Sequence, residues 1–161
     1  MKTYYDSISK GYEKLHGEEQ LNKARIILNN IKPRKEQYLL DIGCCSGAFL
    51  ELCECKKVGI DPSFELLKKS KSFVVQGKAE SLPFKDKSFD FVVSITSIHN
   101  FDNIDKAIKE IKRVAKAKVV ISLLRQAKDF DKISKKLEKN FFVEKIILEK
   151  KDAVFVLNNK I

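Results

Sequence analysis

Tryptophan is absent from the 161 residues, methionine occurs once and histidine twice. There are 6 glycines and 3 prolines, with no stretch rich in either. That excludes flexible or Pro-rich linkers, and no internal repeat is present, so residues 1–161 read as one domain. No apolar run approaches the ~20 residues that a membrane-spanning helix needs. The first twelve residues lack the apolar stretch of a signal peptide. A cytoplasmic protein with no membrane partner is therefore expected. Arginine appears only four times among 32 basic side chains, so the guanidinium fork that grips phosphate is scarce. The four cysteines, Cys44, Cys45, Cys53 and Cys55, lack paired C-x-x-C knuckles. That spacing disfavours zinc, and no metal site is expected. A reducing compartment disfavours disulfides as well.

Hydrophobic residues make up 43% and charged residues 34%, as in soluble globular proteins. The formal charge of +10 is unevenly spread. Residues 39–100 balance at 8 basic and 8 acidic side chains, whereas residues 101–161 hold 16 and 9. A basic flank beside a neutral centre attracts polyanions such as nucleic acid. The competing reading is a solubilising lysine surface, which is also common in heat-adapted proteins.

Helices and strands alternate along the chain. Leu21, Ala24, Ile27, Leu28 and Ile31 recur at helical spacing, and Pro33 follows to stop that helix. Strands are predicted at 38–42, 57–61, 73–75, 89–95 and 118–124. Short helices are predicted near 48–53 and 64–69, and longer ones on the stripe Ile104, Ala107, Ile108, Ile111, Val114 and over 130–139. Two last strands, 142–148 and 153–157, flank a tight turn at Lys150-Lys151-Asp152 and read as a hairpin. Continuous apolar strands alternating with helices imply an α/β fold: a seven-stranded, mostly parallel, doubly wound sheet with an antiparallel C-terminal hairpin and helices on both faces. Ligands of such sheets bind beyond the carboxyl ends of the strands, here after Ile42, Ile60, Val75 and Val93.

Leu39-Leu40-Asp41-Ile42-Gly43-Cys44-Cys45-Ser46-Gly47 is the most informative segment. Gly43 and Gly47 lie between an apolar strand and a helix, where the backbone must turn tightly and approach a ligand. Asp61 ends the next strand 20 positions after Asp41, where a carboxylate accepts both hydroxyls of a ribose. These features fit a dinucleotide site as well, but G-x-G-x-x-G is missing: Cys45 and Ala48 stand where the later glycines belong. Asp41 would also repel a pyrophosphate and favour a cation such as the ammonium or sulfonium of S-adenosylmethionine. Two unit charges about 5 Å apart at an effective dielectric near 20 interact by roughly 3 kcal/mol, and the sign favours the cation.

On these residues the sequence resembles the class I S-adenosylmethionine-dependent methyltransferases, particularly the small single-domain group that includes the quinone-biosynthesis type. Residues 40–47 are similar to that family's first motif, bringing Cys44 and Cys45 into the cofactor loop. Val58-Gly59-Ile60-Asp61-Pro62-Ser63 resembles its ribose-binding segment. Gly77-Lys78-Ala79-Glu80-Ser81-Leu82-Pro83-Phe84 resembles the adenine side, implying Glu80 for the adenine amine and Ala79 for the ring. Residues 88–94, ending at Ser94, resemble the fourth strand. Tyr5-Asp6-Ser7-Ile8-Ser9 and Tyr12 resemble the amino-terminal lid, implying lid helices over 1–36 and a core over 37–161. The resemblance implies S-adenosylmethionine as cofactor and Tyr12, Asp41, Gly43, Cys44, Cys45, Gly47, Asp61, Pro62, Ala79, Glu80 and Ser94 as its contacts. Cys45 departs from the pattern, since the family usually has glycine there. A cysteine in this turn either weakens the cofactor or keeps φ negative.

His99, beyond the fourth strand, is the candidate base for an acceptor that must lose a proton. The competing reading is a loop histidine that shapes the pocket. The fourth strand does not end in Asn-Pro-Pro-Tyr or Asp-Pro-Pro-Tyr, which disfavours adenine-amine and glutamine-amide acceptors. No cysteine lies near the fourth or fifth strand end, which disfavours covalent cytosine methylation. Oxygen, nitrogen and activated-carbon acceptors stay open, on a small molecule or RNA. The alternative is a non-catalytic S-adenosylmethionine- or RNA-binding partner subunit, and a homodimer or partner protein would complete so small a pocket.

Overall fold

Helix α1 (Tyr4–Ile31) leads into β1 (Tyr38–Ile42), α2 (Ala48–Glu51), β2 (Lys56–Asp61), α3 (Phe64–Leu67) and β3 (Val74–Gln76). Then come β4 (Phe89–Ile95), a 3-10 turn at Ile98–Asn100, α4 (Ile104–Val114), β5 (Ala115–Leu124), α5 (Phe130–Asn140), β6 (Phe141–Leu148) and β7 (Asp152–Asn159). These elements come from a computed structural model, which describes the backbone of residues 4–160 and the side chains of residues 17–160.

The seven strands form one sheet in the order β3-β2-β1-β4-β5-β7-β6. β1 to β5 pair in parallel, and β7 runs antiparallel to both β5 and β6. The expected architecture is therefore the observed one. The hairpin inserts its second strand beside β5, so that β6 becomes the edge. β7 is buried along nearly its whole length, whereas β6 is largely exposed.

The helices divide between the two faces. On one side α4 and α5 bury Ile108, Ile111, Val114, Ile133 and Leu137 against Leu40, Val92, Val119, Phe155 and Leu157. On the other, Ala24, Ile27 and Ile31 of α1 pack with Phe49, Leu50 and Leu67 over Leu39, Val93, Val120 and Val154. Each fully buried Ile, Leu or Val contributes about 1.5–3 kcal/mol. The local signals act as expected. Ser63 caps α3 by accepting from the Leu66 N–H, and Asn103 caps α4 by accepting from the Lys106 N–H. Residues 4–31 form one continuous helix.

This connectivity fixes the site. The chain winds outward from β1 through β2 to β3, then returns to the other side of β1 with β4 and β5. Neighbouring loops after β1 and β4 therefore leave in opposite directions, opening a crevice at the carboxyl end of the sheet.

Candidate functional site

The loop after β1 turns in three left-handed steps: Gly43 (φ 77°), Cys45 (φ 52°) and Gly47 (φ 79°). A Cβ on Gly43 would lie 2.4 Å from Ser97 Oγ, so a side chain there would be excluded by packing as well as by φ. Cys45 thus takes the left-handed conformation that the family's usual glycine would take freely. For a cysteine this costs about 1–2 kcal/mol. The turn is secured by Asp61, which is buried at the end of β2. Its Oδ2 accepts the Cys45 N–H at 2.9 Å and its Oδ1 accepts the Ser63 N–H at 2.8 Å. A carboxylate has further lone pairs, so it can still accept from a ligand hydroxyl.

Asp41, at the end of β1, is 2% exposed, and its Oδ1 has no hydrogen-bond partner. Burial, and then the carboxylate of Asp61 nearby, push its carboxyl up to about 8. The same burial raises the Cys44 thiol, with Asp41 and Asp61 adding to the rise, so Cys44 is an inert thiol. Burial likewise holds Cys53 up at about 12. Among the described residues, no group of three or more His, Cys, Asp or Glu is arranged to hold a metal ion.

Two crevices flank the glycine loop. The first, of about 230 Å³, runs between α1 and the loop, with Gln20, Leu21, Ala24, Phe49 and Ile95 around Asp41. It is largely apolar apart from that one carboxylate. The second, of about 460 Å³, runs between the loop and the ends of β2 and β3. Asp61, Pro62, Ala79 and Glu80 line it on one side, and Thr96, Ser97, Asn100 and Phe101 on the other. Gly43 and Cys45 line both.

Of the residues named from sequence, Asp41, Gly43, Cys44, Cys45, Asp61, Pro62, Ala79 and Glu80 are thus brought to one or both crevices. Glu80 already accepts the Asn103 N–H through Oε1 at 3.0 Å. Gly47, Ser94 and His99 line neither crevice. Gly47 precedes α2 at φ 79°, a left-handed conformation that calls for glycine, and a Cβ there would also meet Ser70 Oγ at 2.5 Å. Ser94 is buried inside β4 with its Oγ unpartnered. His99 is half-buried in the 3-10 turn, with Nδ1 buried and unpartnered. Burial lowers its pKa against the opposing pull of Asp152, which favours the neutral imidazole. The side chain of Tyr12 lies outside the described residues.

Sequence reasoning missed Thr96, Ser97, Asn100 and Phe101. Their signal was the position of 96–101 just beyond β4, where attention fell on His99 alone. It also missed Gln20, Leu21 and Ala24, whose helical spacing marks one face of α1.

The arrangement suits a ligand with a hydroxylated ring at Asp61 and positive charge near Asp41. The unpartnered buried oxygen of Asp41 and the glycine cradle fit S-adenosylmethionine. A dinucleotide would have to bring its pyrophosphate beside two carboxylates.

Comparison with known proteins agrees. The model of the family described as a methyltransferase domain matches residues 40–123. The uncharacterized protein MJ1252 of Methanocaldococcus jannaschii is 38% identical over 122 residues, covering 72% of this chain and 47% of that protein. The uncharacterized methyltransferase YcgJ of Bacillus subtilis is 34% identical over 106 residues, covering 56% of this chain and 41% of that protein. The chain thus spans about half the length of such relatives. Among solved structures, a complex between the Haloferax volcanii Trm112 methyltransferase activator and the protein described as its methyltransferase matches with a TM-score of 0.81. It covers 99% of this chain and 98% of that chain at 14% identity, a likeness of fold.

Proposed function

Since the chain belongs to the methyltransferase domain family, we propose that it is an enzyme that binds S-adenosylmethionine as its cofactor and moves the cofactor's methyl group to an oxygen, nitrogen or activated-carbon acceptor on a small molecule or RNA. The observation that carries this reading is the pair of carboxylates on either side of the glycine loop, one of them with a buried, unpartnered oxygen. When bound, the cofactor supplies a methyl group on a positively charged sulfur, open to in-line displacement.

Asp61 accepts the ribose hydroxyls, each charge-assisted hydrogen bond being worth about 1.5–3 kcal/mol. Asp41 is the counter-charge for the ammonium and sulfonium end. Gly43, Cys44 and Cys45 bring the loop backbone against the ligand, and Pro62 and Ala79 meet the adenosine with apolar surface. Glu80 offers its second oxygen to the adenine amine. Gly47 sets the start of α2, and Ser94 supports the floor from β4. His99 is the base when the acceptor must lose a proton, and burial, which favours its neutral form, supports that role. The main task is alignment, since well-oriented reactions reach effective molarities of order 10⁵–10⁸ M. Among the described residues, no helix is long and apolar enough to cross a membrane.

The test is calorimetric titration with S-adenosylmethionine, followed by transfer of labelled methyl into RNA, protein and metabolite fractions. Saturable binding and one labelled fraction are expected. Absence of binding would remove the reading. The full-length likeness to a protein solved with an activator supports a second reading, in which this chain binds the cofactor but needs a partner subunit. Binding without transfer by the isolated chain is the outcome that selects it.

A further inference from the structure

Lys23 heads the largest fully buried side chains among the described residues, and it lines neither crevice. A buried ammonium is tolerated only where partners replace its water. Lys23 Nζ donates to Glu19 Oε1, one helical turn earlier, at 2.9 Å and to Thr96 Oγ1 at 3.1 Å. It also lies 3.3 Å from Asp152 Oδ1, where both side chains are fully buried. Asp152 opens β7, and its Oδ2 accepts from Thr96 Oγ1 at 2.7 Å and from Ser122 Oγ. Lys151 donates to Glu19 Oε2 at 2.9 Å, which balances two cations against two carboxylates. One cluster therefore ties α1 to the ends of β4, β5 and β7.

At its hub Thr96 has a φ of 51°. A β-branched residue in the left-handed region is a genuine outlier, held only where surrounding contacts over-determine it. Here the Oγ1 contacts do so, together with a hydrogen bond from the Thr96 N–H to the Ser122 carbonyl at 3.0 Å. The conformation has a consequence at the site. Thr96 itself lines the second crevice. The next residue, Ser97, donates through Oγ to the Ile95 carbonyl at 2.9 Å and reaches the Gly43 carbonyl at 3.3 Å. Meanwhile Gln20, Leu21 and Ala24, beside Lys23 on α1, wall the first crevice.

We propose that Lys23, with Asp152 as its counter-ion, is a positioning residue of the cofactor site: it fastens α1 over the ends of β4, β5 and β7 and holds Thr96 in the left-handed conformation from which Ser97 meets the glycine loop. This rests on the reading of the two crevices as the S-adenosylmethionine site. A pair with only a structural role could be exchanged for apolar residues without loss of binding. A positioning pair could not.

The experiment compares S-adenosylmethionine affinity by calorimetry, at temperatures well below each thermal midpoint. The Lys23→Met/Asp152→Leu double variant removes both charges together and leaves neither buried unpaired. Its affinity is expected to fall at least tenfold while its thermal midpoint stays near that of the parent. Thr96→Val, which keeps the shape and loses the hydroxyl, is expected to fall as far, and Thr96→Ser to rescue it. Affinity within twofold of the parent in either the double variant or Thr96→Val overturns the proposal, as does equal loss in Thr96→Ser and Thr96→Val. Should the double variant fail to fold, the two Thr96 variants decide. Asp61→Ala is measured alongside. Unchanged affinity there overturns the site reading and this role with it, whereas loss there with none in the Lys23/Asp152 and Thr96 variants overturns the positioning role alone.

Discussion

The carboxyl end of the sheet holds two charged regions that differ in kind. At the ends of β4, β5 and β7, Lys23, Asp152, Glu19 and Lys151 pair by charge within the chain, although Asp152 Oδ1, 3.3 Å from Lys23 Nζ, accepts no hydrogen bond. Hydrogen bonds from Lys151 and then Lys23 hold the Glu19 carboxyl down at about 2. At the ends of β1 and β2, Asp41 and Asp61 face each other's charge, and Asp41 has an oxygen with no partner. Both regions bury carboxylates, so burial alone does not identify a ligand site. Asp152 has a cation of the same chain beside it, whereas the charged neighbour of Asp41 is a second carboxylate, and that difference is what fits Asp41 to the proposed ligand cation.

The sharpest way to break this contrast is Asp61→Ala. It removes the acceptor for the Cys45 and Ser63 N–H groups, and with it the acceptor proposed for the ribose hydroxyls. With two charge-assisted hydrogen bonds lost at about 1.5–3 kcal/mol each, S-adenosylmethionine affinity should fall at least about a hundredfold. Calorimetry at fixed pH measures it. A loss below threefold would mean that Asp61 belongs with the structural carboxylates.

Asp41 gives the next largest effect, and it depends on pH. Its carboxyl stands near 8 in the folded chain against an ordinary 3.8. Between those values the folded state holds a proton that the unfolded state has released. This contribution to the stability of the ligand-free protein is therefore full below pH 3.8 and is lost as pH rises toward 8. Asp41→Asn should flatten that decline in thermal melts between pH 5 and 8. A bound cation favours ionised Asp41, so binding below pH 8 should release a proton, and affinity should rise by up to about tenfold per pH unit until it levels off near 8. Titration in two buffers of different ionisation enthalpy reads the proton directly. In Asp41→Asn the release should vanish and the affinity at pH 8 should fall about tenfold. A pH-independent affinity in the parent would make Asp41 a buried acid with no ligand role.

Much of this contrast was legible in the sequence on one side only. The strands and the longer helices followed from apolar periodicity, and Asp41, Gly43 and Asp61 stood out because a strand, a glycine turn and a second strand-end carboxylate lie at fixed spacing. Lys23, Thr96 and Asp152 carried no such sign. They are 73 and 56 positions apart, and only the sheet order brings them together. Nothing in Ser-Ile-Thr-Ser announces a left-handed threonine. His99 shows the opposite limit. Its residue type drew attention, whereas its neighbours Thr96, Ser97 and Asn100 line the crevice. Gly47 belongs to the same loop by its left-handed backbone, although it lines neither crevice. Short-range pattern reveals residues whose role comes from their own segment, and long-range pairing conceals the rest.

Cys45 offers the finest adjustment, because it lies between the two crevices at φ 52° and its N–H is the donor that Asp61 accepts. Cys45→Gly removes a left-handed cost of about 1–2 kcal/mol. Glycine adds an opposing loss of about 0.5–1 kcal/mol through the freedom of the unfolded chain. The net stabilisation should therefore be at most about 1.5 kcal/mol, read as a small rise in thermal midpoint. Removing the side chain also widens the loop on both sides, so S-adenosylmethionine affinity should rise a few-fold rather than fall. A drop in affinity would instead show that the thiol packs against the ligand, making the cysteine a contact in its own right and not a tolerated replacement for glycine.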